Sequence, residues 1–254
     1  MGRVHPLAEA FGEVADTYER ARPDYPEAAV AWIVEVLGVG PGRRVADVGA
    51  GTGKLTRQLR PTGAALVAVE PVEGMRAHLA DLDRVAAVAA VAERLPFRDA
   101  SLDAIVAGQA FHWFDGEAAL RDWHRALRPG GGLALVWNAR DGSSVAWVAE
   151  IARVVDRYAG DAPRWRHGEW REAFDRTDRF GPLRERSFPH PQRLTPDEVV
   201  ERYASTSFIA ALDEQRHAEA LAAIRQVLAT HPDTRGREHV VHPYRTDVFW
   251  TSRR

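Results

Sequence analysis

Apolar positions along the chain follow two spacings, and their alternation predicts the fold. Short, mostly apolar runs occupy 44–48, 65–70, 102–108 and 132–137. Runs of this length, bounded by glycine, proline or a carboxylate, read as strands buried on both faces, as in a parallel sheet. Between them apolar residues recur at helical spacing. Residues 27–37 align Ala29, Ile33 and Leu37; 53–60 stop at Pro61 and Gly63; 73–80 are short; 116–127 align Leu120, Trp123 and Leu127. These read as helices. Strands and helices in regular alternation predict an α/β domain with a parallel sheet.

Three stretches depart from this rhythm. Tyr18 to Pro26 is a polar, turn-rich lead-in. In 85–91, Val85, Val88 and Val91 recur every three residues, a helical pattern. Residues 142–215 crowd aromatics, among them Trp147, Trp165, Trp170, Tyr203 and Phe208. Helices are expected there at 144–159, 168–175 and 196–203, with a longer one at 214–229. This insertion follows the fifth strand, on the edge where ligands of open parallel sheets bind. The expected organisation is therefore a core with its lead-in over 1–141, a helical substrate lid over 142–235, and a final strand within 236–254.

The chemistry concentrates after the first strand. Asp47-Val48-Gly49-Ala50-Gly51-Thr52-Gly53 places glycines where a Cβ would block a ligand's approach to the backbone. Amides at the start of the next helix then face the ligand. Glu70, at the tip of the second strand, can accept hydrogen bonds from both hydroxyls of a ribose. A phosphate-binding loop would need Gly-x-x-x-x-Gly-Lys-Ser/Thr, but Val48 and Leu55 occupy two of its fixed positions. A dinucleotide fingerprint would need a glycine where Lys54 stands.

What remains, acidic-x-Gly-x-Gly-x-Gly, resembles the first motif of class I S-adenosylmethionine-dependent methyltransferases. Val69-Glu70-Pro71 with Met75 resembles the second motif, and Ala92-Glu93-Arg94-Leu95-Pro96-Phe97 the adenine-side turn. Ser101 to Val106 and Leu127 to Val136 resemble the fourth and fifth strands. The resemblance implies a Rossmann-like, doubly wound, seven-stranded, mostly parallel sheet, and it puts a strand at 85–91 against the local pattern. Gln109-Ala110-Phe111-His112-Trp113-Phe114 resembles the type 11 family, which includes trans-aconitate methyltransferase-like enzymes.

The resemblance also implies roles. S-adenosylmethionine is the expected cofactor and S-adenosylhomocysteine its product. Gly49, Ala50, Gly51 and Gly53 form the turn, Asp47 braces it or reaches the methionine ammonium, and Glu70 takes the ribose. Adenine would lie between Pro71 or Met75 and Ala92-Glu93, with Gln109 and Ala110 beside the cofactor. Arg22 would pair with the methionine carboxylate, with Tyr18 one helical turn away. Tyr25, His112 and Trp113 would face the acceptor. His112 is the candidate general base, because an ordinary imidazole titrates near 6.5; its alternative role is to orient the acceptor by a hydrogen bond.

Bulk properties fit a cytoplasmic enzyme acting on a small molecule. The 254 residues carry a net charge of −2, no electrostatic footprint for nucleic acid. There is no cysteine, hence no disulfide or thiolate metal site. The closest histidine pair, His239 and His242, reads as partly exposed residues before a strand. No apolar run approaches the roughly 18 residues of a membrane span. The expected reaction is methyl transfer to oxygen, nitrogen or carbon. The rivals are a peptide or natural-product methyltransferase, a different reaction on the same cofactor, and a nicotinamide dehydrogenase.

Overall fold

The computed structural model describes residues 22–142, 145–160 and 165–254. The first half alternates as the pattern predicts: α1 (Glu27–Leu37), β1 (Arg44–Val48), α2 (Lys54–Leu59), β2 (Ala65–Val69), α3 (Glu73–Ala77), β3 (Val85–Val88), β4 (Leu102–Gly108), α4 (Gly116–Ala126) and β5 (Leu127–Arg140). The second half comprises α5 (Ala146–Asp156), α6 (Glu172–Asp175), β6 (Arg184–Pro189), β7 (Gln192–Leu194), α7 (Pro196–Ala204), α8 (Ser207–Ala210), α9 (Glu214–Thr230), β8 (Val240–His242) and β9 (Tyr244–Ser252).

Seven strands form one sheet in the order β3-β2-β1-β4-β5-β9-β6. The pairs from β3 to β5 are parallel, and β9 runs antiparallel to both β5 and β6. The central strands are mostly apolar because both of their faces are covered. On one face α1 and α2 bring Ala29, Ile33, Leu55 and Leu59 against Val45, Val106 and Val136. On the other, α4 brings Leu120 and Trp123 against Ile105, Leu133 and Leu135. Asp115 starts α4 by accepting a hydrogen bond from the Ala118 amide at 3.1 Å.

The third strand settles the conflict at 85–91. Val85–Val88 pairs with β2 as the sheet edge, with little of it buried. Edge position, not burial, explains why its valines lack the pattern of an inner strand.

The 142–235 stretch, expected as one lid, is divided in the structure. Helices α5, α7 and α9 share a separate core built on Trp147, Ile151, Val199, Tyr203 and Ile224. The small β7–β8 sheet belongs with them, through Leu194 and Val240. Trp170, Ala173 and Phe180 instead join the main core beside Trp137 and Phe249, and β6 is a strand of the main sheet. His242 lies on β8 and is fully buried, unlike the partly exposed residue expected, because alternate β8 side chains face the lid core. None of the described helices is long and apolar enough to cross a membrane.

Candidate active site

A cavity of about 500 Å³ opens at the carboxyl ends of β1, β4 and β5, with the lid as its far wall. Ligand sites of open α/β sheets lie on this edge, where successive crossovers leave in opposite directions. Among the expected residues, Arg22, Tyr25, Asp47, Gly49, Ala50, Gly51, Gln109, His112 and Trp113 line it. Tyr18 lies outside the described residues.

The glycine turn forms the floor. Gly49 and Gly51 both have positive φ, at 68° and 57°. A Cβ on Gly51 would meet nothing within 4 Å, so its bare backbone faces open space; one on Gly49 would lie 2.7 Å from the Ala110 Cβ and 2.9 Å from the Phe114 Cζ. Gly53 has another reason to be glycine: a Cβ there would lie 2.5 Å from Leu79 Cδ2. Its role is packing between α2 and the segment after α3, and it does not line the cavity.

Asp47 is 2% exposed. Its Oδ2 accepts the Thr56 hydroxyl at 2.6 Å, whereas its Oδ1 is buried with no partner. Burial is the main cause that pushes its pKa up to about 7, against the Thr56 bond and with a further push from Glu70. A buried carboxylate oxygen without a donor costs roughly 1–3 kcal/mol or more. That cost marks a place prepared for a cation or donor.

Glu70 stands next to the cavity without lining it. Oε2 accepts the Gly51 amide at 2.8 Å and Oε1 the Val72 amide at 2.9 Å. Burial raises its pKa against these two bonds. A carboxylate has about four acceptor positions, so capacity for ribose hydroxyls remains. The adenine-side residues are engaged elsewhere. The Ala92 carbonyl accepts from the Trp123 indole at 2.9 Å, and Glu93 accepts the Asp115 amide at 2.9 Å. Pro71, Met75, Ala92, Glu93 and Ala110 do not line the cavity; Met75 and Ala110 are buried.

The other wall is built after β4. Gln109 holds φ at 57°, a left-handed conformation uncommon outside glycine, and donates to the Asn138 carbonyl at 3.2 Å. The Tyr25 hydroxyl packs where a Cβ of Gly108 would stand. His112 Nδ1 accepts the Trp137 indole N–H at 3.2 Å. Indole only donates, so the neutral imidazole carries its proton on Nε2. Burial, aided by the Arg22 charge, pushes the His112 pKa down to about 3. Neutral in this tautomer, His112 offers a donor and is a poor base.

Sequence reasoning missed several lining residues, among them Asn138, Thr206 and Tyr244. Asn138 donates to the Pro23 and Asp24 carbonyls at 3.2 and 3.1 Å, tying the lead-in to β5. Arg22 donates to the Ser205 carbonyl at 2.9 Å and ties the lead-in to the lid. For Asn138 the available signal was position near the carboxyl end of β5; Thr206, the residue before α8, and Tyr244, the first residue of β9, carried no such signal. Among the described residues no group of three or more His, Asp or Glu is placed to hold a metal ion.

The comparisons agree with this geometry. A methyltransferase domain family matches residues 46–135, which span the glycine turn and β1 to β5. An uncharacterized methyltransferase of Mycobacterium tuberculosis is 37% identical over 241 residues, covering 94% of each chain. A methyltransferase-like protein of Schizosaccharomyces pombe is 33% identical over 242 residues, covering 93% of this chain and 92% of its own. A solved structure from Anaeromyxobacter dehalogenans, named as a type II methyltransferase, superposes with a TM-score of 0.66 at 26% identity, covering 92% of this chain and 97% of that one. Near-complete relatives that share this identity, on a fold whose glycine turn opens into the cavity, place the chain in the class I S-adenosylmethionine-dependent methyltransferase family.

Proposed function

We propose that the enzyme moves a methyl group from S-adenosylmethionine to oxygen, nitrogen or carbon of a small molecule held under the lid. The observation that carries this reading is Asp47 Oδ1, buried without a partner in the wall of the same cavity that holds His112. An α-ammonium supplies the charge this oxygen lacks. The open face of Gly51 admits the cofactor backbone, and Glu70 has acceptor capacity for the ribose. Arg22 supplies a cation for the methionine carboxylate. Pro71, Met75, Ala92 and Glu93 remain the proposed adenine side.

When bound, S-adenosylmethionine supplies a methyl group on a sulfonium whose sulfur keeps the bonding electrons as the acceptor's lone pair takes the carbon. The protein's contribution is placement, which can supply about 7–11 kcal/mol when reacting atoms are held near 3–3.5 Å apart. His112 orients the acceptor by donating from Nε2. Trp113 and Trp165 give the cavity aromatic walls. A cavity of about 500 Å³ lies within the range of small-molecule sites. This size favours a small acceptor over a folded protein or an RNA. The type 11 subgroup with trans-aconitate methyltransferase-like members remains the proposed neighbourhood, on the Gln109 to Phe114 sequence.

The test is transfer of labelled methyl from S-adenosylmethionine into fractionated cell extract. Label should appear in the small-molecule fraction and be suppressed by S-adenosylhomocysteine. Label only in protein or RNA contradicts the acceptor class. Binding of S-adenosylhomocysteine with no labelled product in any fraction contradicts methyl transfer as the reaction.

A further inference from the structure

The geometry points to an oxyanion-binding site at the lid end of the cavity, in which the Arg140 guanidinium holds a carboxylate or phosphate of the acceptor molecule. The inference rests on the methyltransferase reading and adds the chemical class of the acceptor.

Arg140 ends β5 and lines the cavity. Its donors can be accounted for one by one. Nε donates to the Tyr244 hydroxyl at 3.2 Å. Nη2 donates to the Arg202 carbonyl at 2.9 Å and to Thr206 Oγ1 at 3.2 Å. A guanidinium has five N–H groups, so the two on Nη1 have no acceptor among the described residues. Nη1 is also not among the buried atoms without a partner, which makes it accessible. The Tyr203 ring lies 4.2 Å from the guanidinium carbon and fixes its plane. The group is thus held on three sides and left open on the cavity side.

Among the described residues its charge has no ion-pair partner. Asp141 and Asp156 line the same cavity, yet neither they nor any other described carboxylate comes within ion-pair distance of Arg140. Two other cations lining the cavity have carboxylate partners: Arg245 meets Asp247 at 2.7 Å, and Lys54 meets Asp24 at 3.1 Å. The surroundings register the excess. Burial pushes the Tyr244 phenol up, but Arg140, Arg202 and Arg22 outweigh it and hold it below the ordinary tyrosine value. Burial, then Arg140 and Arg202, push the neighbouring His242 down to about 3. A half-buried, oriented guanidinium without a counter-charge is the arrangement that recognises an oxyanion through paired N–H donors.

The register separates this site from Asp47. Asp47 is level with Val106 on β4, and Val106 with Ala134 on β5. Arg140 therefore stands two strands over and well beyond that level, against β9 and the lid. The anion it meets belongs to the acceptor, and the acceptor spans from His112 towards the lid.

The test titrates the whole protein, with and without S-adenosylhomocysteine, against phenylacetate, phenyl phosphate and neutral phenylacetamide by calorimetry. At least one acid should bind about tenfold or more tighter than the amide, with a preference that shrinks as salt rises. Whichever acid wins identifies a carboxylate or a phosphate. Arg140→Gln should bring acid and amide within about twofold of each other, while its S-adenosylhomocysteine affinity shows that the fold is intact. If Arg140→Gln does not fold, Arg140→Lys carries the test: losing the planar fork should cut the acid preference by about threefold. Equal binding of acid and amide to the wild type overturns the proposal, as does a preference that survives in the variant. Failure of S-adenosylhomocysteine itself to bind is a separate result that falls on the cofactor reading, because the probes are also titrated without it.

Discussion

Replacing Asp47 by asparagine removes a charge and keeps the shape, so it separates the cost of this residue in the free protein from its use in binding. Burial raises the carboxyl from 3.8 to about 7. The sign follows from proton binding: the native state holds this proton where the unfolded state has already released it. Stability is therefore greatest below the unfolded value and is lost as pH rises through the folded one. The loss amounts to about 4 kcal/mol, at about 1.36 kcal/mol per pK unit. Asparagine does not titrate and can still accept from Thr56. Its melting temperature relative to wild type should rise by roughly 8–16 °C between pH 4 and pH 8 in this size of protein. Binding should change in the opposite sense. An ammonium needs the ionised carboxylate, so wild-type affinity for S-adenosylhomocysteine should fall roughly 25-fold from pH 7.5 to pH 5.5 as the ionised fraction shrinks. Asp47→Asn should bind about 10–150-fold more weakly at pH 7.5, with no pH dependence from this group. Melting curves and calorimetric titrations across that range test both. A wild-type affinity flat with pH, together with an unaffected variant, would refute the reasoning.

Further predictions concern the rest of the site. Because His112 is held near 3, kcat at saturating cofactor should show no ionisation of this residue between pH 5 and 8. His112→Gln, which keeps an N–H donor, should retain more activity than His112→Ala; a wild-type limb near 6.5 that disappears in His112→Gln would restore the general-base role. Trp137→Phe frees the imidazole tautomer and should lower kcat while cofactor affinity stays within about twofold, read by initial rates and titration. Gly51→Ala and Gly53→Ala should diverge. Both carry a left-handed penalty of about 1–2 kcal/mol, but only the second collides with Leu79, adding about 1–3 kcal/mol. Gly51→Ala should lose S-adenosylhomocysteine binding out of proportion to stability, and Gly53→Ala the reverse, by melting and calorimetry.

Much of the sheet was legible because burial dictates composition. β1, β2, β4 and β5 are covered on both faces and show as mostly apolar runs, with polar residues such as Asp47, Asp103 and Asn138 at few positions. The glycine turn was legible because positive φ and an open approach leave few other residues possible. β6 was hidden inside the presumed lid. It is an edge strand of mostly exposed residues, Arg184 to Pro189, and carries no alternation to read. The site was half legible for a similar reason. Asp47, Gly51 and His112 come from local motifs. The tautomer of His112 and the lack of a described ion-pair partner for Arg140 depend on which residues face each other across β4, β5 and β9, and spacing along the chain does not encode that. Ala92 and Glu93 were named by a motif, and the hydrogen bonds they make to Trp123 and Asp115 could not be read from it.

The most direct measurement is a crystal structure of the protein grown with S-adenosylhomocysteine. The account predicts the amino group of the ligand on Asp47 Oδ1, the backbone of Gly51 against it and the ribose hydroxyls at Glu70. A ligand bound elsewhere, or one whose amino group faces away from Asp47, would contradict it.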